Sequence, residues 1–238
     1  MLVSTKAIVL GTIKYGDSSL VAKMFLPEHG LVSFMIQGVY RKRSRSPASL
    51  LQPCSIIESV CYIRENKGLH RINEMKAAFP LPNIRSQVVK SCMVLFSAEI
   101  LQWVLRPMEA DPALYFWLEK EIVLLDDKET VSPEWPHRFL LSLSRQLGFA
   151  PYYHGEGKYF NMKAGVFEQE KNLGRLSMSL EESLLLKHLL REDYTRNSTR
   201  ELRNNLLDQL VLYVRLHTGL QQNLKSLEIL REVFHTSS

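Results

Sequence analysis

Four cationic side chains, Arg41, Lys42, Arg43 and Arg45, fall within five residues, with Tyr40 immediately before them. Gly38, Ser44, Ser46 and Pro47 around them disfavour both a helix and a central strand, so the run reads as a loop. An unpaired buried cation costs several kcal/mol or more. The loop must therefore face water or a polyanion. Chemistry of other kinds is hard to find. The seven histidines form no H-x-x-x-H pair, and no Ser or Cys stands in a nucleophile elbow. His154-Gly155-Glu156-Gly157-Lys158 lacks the spacing of a phosphate loop and the Ser or Thr after its Lys. Asp126-Asp127 has no further carboxylate at a telling distance, and the basic third has no carboxylate cluster for a nuclease's metals. Cys54, Cys61 and Cys92 have no metal-ligand spacing and fit reduced core thiols. These residues point away from an enzyme.

The charge is unevenly spread. Residues 1–79 carry 11 Lys and Arg against 5 Asp and Glu, whereas the remainder carries 19 against 20. A basic module on a neutral body suggests a polyanionic partner. With 238 residues, 45% of them hydrophobic and 23% charged, the chain suits one large or two modest packed domains. No signal-peptide pattern opens it, and its longest apolar run, Cys92–Leu105, is too short for a bilayer and contains Glu99. A soluble, cytoplasmic protein is expected, with no membrane partner.

The elements that must position the basic loop come next. Turn signals at Tyr15-Gly16-Asp17, Glu28-His29-Gly30 and Asn66-Lys67-Gly68 separate runs rich in β-branched and aromatic residues. Strands are predicted over 4–14, 18–26, 31–38, 54–64 and 69–79. In the third, Val32, Phe34 and Ile36 share one face and Ser33 and Gln37 the other. In the fourth, Ile57, Cys61 and Ile63 alternate with Glu58, Tyr62 and Arg64. Five short strands suit a small closed barrel, either an OB-fold or an SH3-like barrel. The basic run then occupies the connection between strands three and four. Lys6, Lys14, Lys23, Arg64, Lys67 and Arg71 add charge, and Tyr15, Tyr40 and Tyr62 offer platforms for bases. A strand lysine often only keeps an edge soluble, and a tyrosine is often a core ring with a wet hydroxyl.

Phe79-Pro80-Leu81-Pro82 breaks the strand pattern and divides a domain at 1–79 from an all-α domain at 80–238. Val88, Val89, Cys92, Phe96, Ile100 and Trp103 are spaced for one helical face, ending before Pro107. Asp111-Pro112 and Ser132-Pro133 read as N-caps followed by a helical first-turn proline, and Gly148 ends the helix that starts at Ser132. Ser179 with Glu182 and Ser198 with Glu201 read as capping boxes. Leu202, Leu206, Leu210, Tyr213 and Val214 form an apolar stripe that Gly219 terminates, and a last short helix begins at Lys225. Residues 151–177 are a glycine-interrupted, irregular excursion with a small hairpin at 159–167.

In this order Thr5-Lys6-Ala7-Ile8-Val9-Leu10, Tyr15-Gly16-Asp17-Ser18-Ser19, Gly38-Val39 before the basic loop and Leu51-Gln52-Pro53 resemble the bacterial recombination mediators of the RecO family. So do Leu216-His217-Thr218-Gly219 and Leu224-Lys225-Ser226-Leu227 near the other end. The resemblance covers nearly the whole chain. It implies an α+β multidomain protein, with an N-terminal five-stranded OB-fold barrel followed by an all-α domain. It implies a non-catalytic DNA repair and recombination role: binding single- and double-stranded DNA, annealing strands and helping load RecA onto strands coated by single-strand-binding protein. The implied partners are DNA, RecR and the acidic C-terminal tail of single-strand-binding protein, and the implied location is the cytoplasm at the nucleoid. Many members hold zinc with four cysteines after a Leu-Gly-aromatic-x-Pro stretch. Here Leu147-Gly148-Phe149-Ala150-Pro151 is present but 151–177 has no cysteine. No metal is expected, and Tyr152, Tyr153, Tyr159, Phe160 and Phe167 are expected to hold the excursion by packing.

Arg41, Lys42, Arg43 and Arg45 are the expected phosphate contacts, with Lys14, Lys23 and Arg64 beside them. Arg203, Arg215, Lys225 and Arg231 on the last two helices are the expected flanks of a notch for the acidic tail. The rival reading is a protein-interaction scaffold whose basic barrel binds an acidic protein, and from charge and pattern alone it fits as well.

Overall fold

A computed structural model describes residues 2–40, 47–64, 67–153, 157–171, 176–191, 198–219 and 223–236. The first five strands are β1 (Leu2–Tyr15), β2 (Ser19–Leu26), β3 (Gly30–Gln37), β4 (Ile56–Tyr62) and β5 (His70–Ala77). They close into a barrel in the order β1-β2-β3-β5-β4, with β3 and β5 parallel and the other pairs antiparallel. This is the closure of an OB-fold. The predicted alternation holds: Val32, Phe34, Ile36, Ile57, Cys61 and Ile63 are buried, while Gln37, Glu58, Tyr62 and Arg64 are exposed. A bulge at Leu10 lets β1 serve two partners. The Leu10 carbonyl, turned out of the ladder, accepts from Gln102 Nε2 at 2.8 Å.

Helices α1 (Pro82–Ser86), α2 (Val88–Val104) and α3 (Pro112–Asp127) follow, and α7 (Lys225–Thr236) ends the chain. Cys92, Phe96 and Ile100 are buried as their spacing requires, but Val88, at the helix start, is 66% exposed. Asp111 caps α3 as predicted, its carboxylate accepting from the Leu114 N–H at 2.9 Å. The barrel and these helices are one compact unit, residues 1–131 with 224–238, and residues 132–223 are a second. The strand pattern ends at Phe79, whereas the packing boundary falls at Val131. The reason is that Phe25 of β2 packs on Tyr115 of α3, with ring centroids 5.6 Å apart. Lys6 likewise reaches Glu119 at 3.0 Å. At Gly30, φ is +65° and an added Cβ would lie 2.1 Å from the Glu109 carbonyl oxygen. Only glycine fits that crossing.

Helix α7 is seated on α2 by Glu99. Its carboxylate accepts from the Lys225 and Ser226 N–H groups at 3.1 and 2.9 Å and from the Ser226 hydroxyl at 2.5 Å. A carboxylate from another helix thus caps the positive end of α7.

The second unit contains α4 (Trp135–Gln146), the two-stranded β6 (Tyr159–Asn161) and β7 (Val166–Glu168), α5 (Leu180–Leu190) and α6 (Arg200–Thr218). The hairpin and the Ser179–Glu182 capping box match the sequence reading. Two starts differ. Helix α4 begins at Trp135 with Glu134 in the cap position, because Ser132 starts a preliminary turn, its hydroxyl accepting from the Glu134 N–H at 3.2 Å. Thr199, not Ser198, caps α6; its hydroxyl accepts from Leu202 at 3.2 Å, while the Ser198 carbonyl takes the Arg203 guanidinium.

His137 of α4 is almost wholly buried, and its Nε2 donates to the Arg203 carbonyl at 2.7 Å. Burial pushes its pKa down to about 4, so the ring is neutral in the native state. A group with a lowered native pKa contributes stability that is complete above the unfolded value near 6.5 and is lost as pH falls toward 4. The full loss is about 3 kcal/mol. Thermal melts of wild type between those pH values should therefore weaken more steeply than those of His137→Gln, which is less stable at neutral pH. Parallel pH profiles for the two would refute this.

Candidate nucleic-acid interface

The central run, Arg41, Lys42, Arg43 and Arg45, lies outside the described residues. Its anchors do not. The Val39 N–H donates to the Ser18 carbonyl at 3.2 Å, and the Ala48 N–H donates to the Val39 carbonyl at 3.3 Å. The chain thus leaves the barrel at Tyr40 and rejoins it at Pro47, beside the turn between β1 and β2. In OB-folds that turn, the β4–β5 connection and the β2–β3 face between them form the oligonucleotide surface.

The other expected contacts fall on that surface. Lys14 is exposed, opposite Leu20 where the β1–β2 hairpin projects. Lys23, half-buried on β2, pairs across the sheet with Gly11 and Ser33. Arg64 is exposed in the β4–β5 connection, where its N–H donates to His70 Nδ1 at 3.2 Å. Burial, with His29 nearby, lowers the pKa of His70, keeping Nδ1 free to accept.

Ion pairing sorts the barrel's cations. Lys6 is bound by Glu119, so the expectation that it adds to the outer charge is wrong; it ties barrel to helix. Lys76 is bound to Glu58 at 2.8 Å and holds that carboxyl below the usual carboxylate range. Lys14, Lys23, Arg64, Lys67 and Arg71 form no ion pair among the described residues. Arg71 is exposed on β5. It stands on the outer wall opposite Tyr62 and Met35. Its alternation with buried His70 was the available signal.

The residues expected to meet an acidic tail divide into two pairs. Arg203 and Arg215, both half-buried, belong to α6 in the second unit. Exposed Lys225 and half-buried Arg231 belong to α7 in the first.

The excursion, residues 151–177, contains no cysteine. Cys54, Cys61 and Cys92 are buried in the first unit, and burial raises all three thiols, Cys54 to about 12. No group of three or more His, Cys, Asp or Glu side chains among the described residues could hold a metal ion. Rings pack together among the described residues of the excursion. Phe160 and Phe167 lie 5.0 Å apart, and Tyr153 meets Phe167 edge-on at 5.6 Å. Lys187 Nζ sits 5.0 Å from the Phe167 ring centre, and the Arg191 guanidinium 4.7 Å from that of Tyr153. Tyr152 is 61% exposed, and its N–H donates to the Gly165 carbonyl at 2.7 Å. The cations from α5 were not read from sequence, since nothing local links them to rings some 20–40 positions earlier.

Among the described residues no helix is long and apolar enough to cross a membrane.

Comparison with known proteins gives the family. The family described as "Recombination protein O N terminal" matches residues 1–80, and "Recombination protein O C terminal" matches 85–228. A DNA repair protein RecO of Flavobacterium psychrophilum is 32% identical over 241 residues, covering 98% of this chain and 100% of the relative. Those of Christiangramia forsetii and Porphyromonas gingivalis are 30% and 29% identical with the same coverage. With an OB-type barrel that presents unpaired cations and matches running through both units, the chain belongs to the RecO family of DNA repair proteins.

Proposed function

We propose that this protein is a non-catalytic DNA-binding recombination mediator. It binds single- and double-stranded DNA, promotes annealing of complementary strands and helps load RecA onto strands coated by single-strand-binding protein. The observation that carries the reading is the sorting of charge on the barrel. Lys6 and Lys76 are neutralised by carboxylates, whereas the cations around the β1–β2 turn and the β4–β5 connection are left for an external anion. Phosphate contacts of this kind bind without reading sequence. Screening two polyanions while leaving base edges open lowers the barrier to pairing them. Filter binding with strands of unrelated sequence tests this: affinity should fall steeply with salt and vary little with sequence. Salt-indifferent binding, or none, would favour the acidic-protein scaffold instead.

The helical elements act as adaptors for RecR and for the acidic tail of single-strand-binding protein. Charge reversal at Arg203, Arg215, Lys225 and Arg231 one at a time should identify the pair that meets a tail peptide. Unchanged affinity in all four would refute this location. The protein works at the nucleoid in the cytoplasm, where its DNA is.

The excursion folds without metal, held by its rings and the α5 cations. Chelators should leave the melting temperature unchanged, and Lys187→Met should cost about 1–2 kcal/mol. A chelator-induced drop in melting temperature would overturn the metal-free reading.

A further inference from the structure

We infer that the barrel distinguishes unpaired from paired strands through three exposed rings, Tyr15, Tyr40 and Tyr62, on which single-stranded bases stack. This rests on the DNA-binding reading and adds a base-dependent contribution to its phosphate contacts.

The barrel treats its aromatic residues in two ways. Phe25 and Phe34 are fully buried, whereas Tyr15 and Tyr40 are each 60% exposed and Tyr62 is 46% exposed. Rings so exposed bury little apolar surface, and the fold gains correspondingly little from them. Their distribution follows the oligonucleotide surface. Tyr15 ends β1 opposite Ser19, and Tyr40 follows Val39, whose N–H is bonded to the Ser18 carbonyl. Both therefore stand at the β1–β2 turn where the basic run begins and ends. Tyr62 stands at the other side, next to Arg71 and just before Arg64 in the β4–β5 connection.

Strand pairing gives the span between the two groups. Tyr62 pairs with Arg71, Arg71 with Met35, Met35 with Val21 and Val21 with Ile13, so these residues share one outward row. Four strand spacings of about 4.8 Å make that row about 19 Å long around the wall, and Tyr15 lies two residues beyond it. Bases in a duplex repeat every 3.4 Å or so and cover each other's faces. A duplex therefore has no free base face for either ring group. An extended single strand has one at every nucleotide, and cations flank it at both ends. Stacking of this kind tolerates any sequence and adds about tenfold in affinity per base. Unlike the phosphate contacts, it survives high salt.

The test compares three probes on the full-length protein: an oligothymidine strand, an abasic strand of equal length and a duplex. Wild type should bind the oligothymidine roughly a hundredfold or more tighter than the abasic strand. Y15A/Y40A/Y62A should lose most of that preference, with its salt slope and duplex affinity unchanged. The triple Phe variant, which keeps the rings, should retain the preference. The inference is overturned if wild type binds abasic and base-bearing strands equally, leaving the rings to a protein partner. It is equally overturned if the Ala variant keeps the preference or loses single-strand and duplex binding in parallel. Absence of salt-dependent binding to all three probes would instead remove the DNA-binding reading on which it rests.

Discussion

Replacing Arg41, Lys42, Arg43 and Arg45 together by alanine is expected to lower the slope of log affinity against log salt by about 2.8 for single strands and about 3.6 for duplex. The arithmetic is that of counterion release. Each neutralised phosphate frees about 0.7 of a counterion from a single strand and about 0.9 from duplex. At about 50 mM salt the single-strand affinity should fall roughly a thousandfold, and near 1 M the variant and wild type should converge. Folding should be untouched, because the run lies between two anchors, Val39 and Ala48, that are bonded to each other and not through it. If the variant binds single strands as tightly as wild type at low salt, these cations are not the phosphate contacts. Lys14, Lys23 and Arg64 would each remove less, about 0.7 from the slope.

Lys90→Met is expected to produce the largest loss of stability in the first unit. Lys90 is fully buried on α2, and its ammonium donates to the carbonyls of Asp126 and Lys128 at 2.7 and 2.6 Å, where α3 ends. Those carbonyls are among the last of a helix and have no partner within it. The same corner is tied by Asp126, whose carboxylate accepts from the Ile84 N–H at 2.7 Å, and by Asn83, which donates to the Asp126 carbonyl at 3.1 Å. Methionine fills the volume but removes the ammonium from both carbonyls, leaving that of Asp126 with Asn83 as donor and taking from that of Lys128 the bond Lys90 made. Losing two charge-assisted bonds costs about 3–4 kcal/mol. For a unit of this size that lowers the melting temperature by about 10 °C. A variant melting within a degree or two of wild type would show that water or a neighbouring donor replaces the ammonium.

Nothing in the local sequence announces Lys90. It sits in a helical stretch where a lysine is expected on the wet face. Its burial depends on the end of α3, some forty residues later, presenting carbonyls that helix geometry leaves unsatisfied. Lys6 and Glu119 are a similar case, separated by 113 positions. The capping of α4 and α6 shows a different limit. Ser132 and Ser198 are good caps in isolation, yet each is drawn into another bond, so each helix starts a residue or more later.

By itself the sequence determined the five strands, the faces they bury, the glycine and capping signals of several helices, and the place of the basic run between β3 and β4. These follow from period-2 alternation and from backbone preferences of single residues, which act over a few positions and need no distant partner. Tertiary structure alone decided which of the barrel's cations are held in ion pairs, since that depends on where carboxylates such as Glu58 and Glu119 arrive. It also decided that α7 packs with the barrel's unit rather than with its neighbour α6, and that rings and α5 cations fill the excursion. Each of these joins residues far apart in the chain, and such pairings leave no trace in spacing or composition.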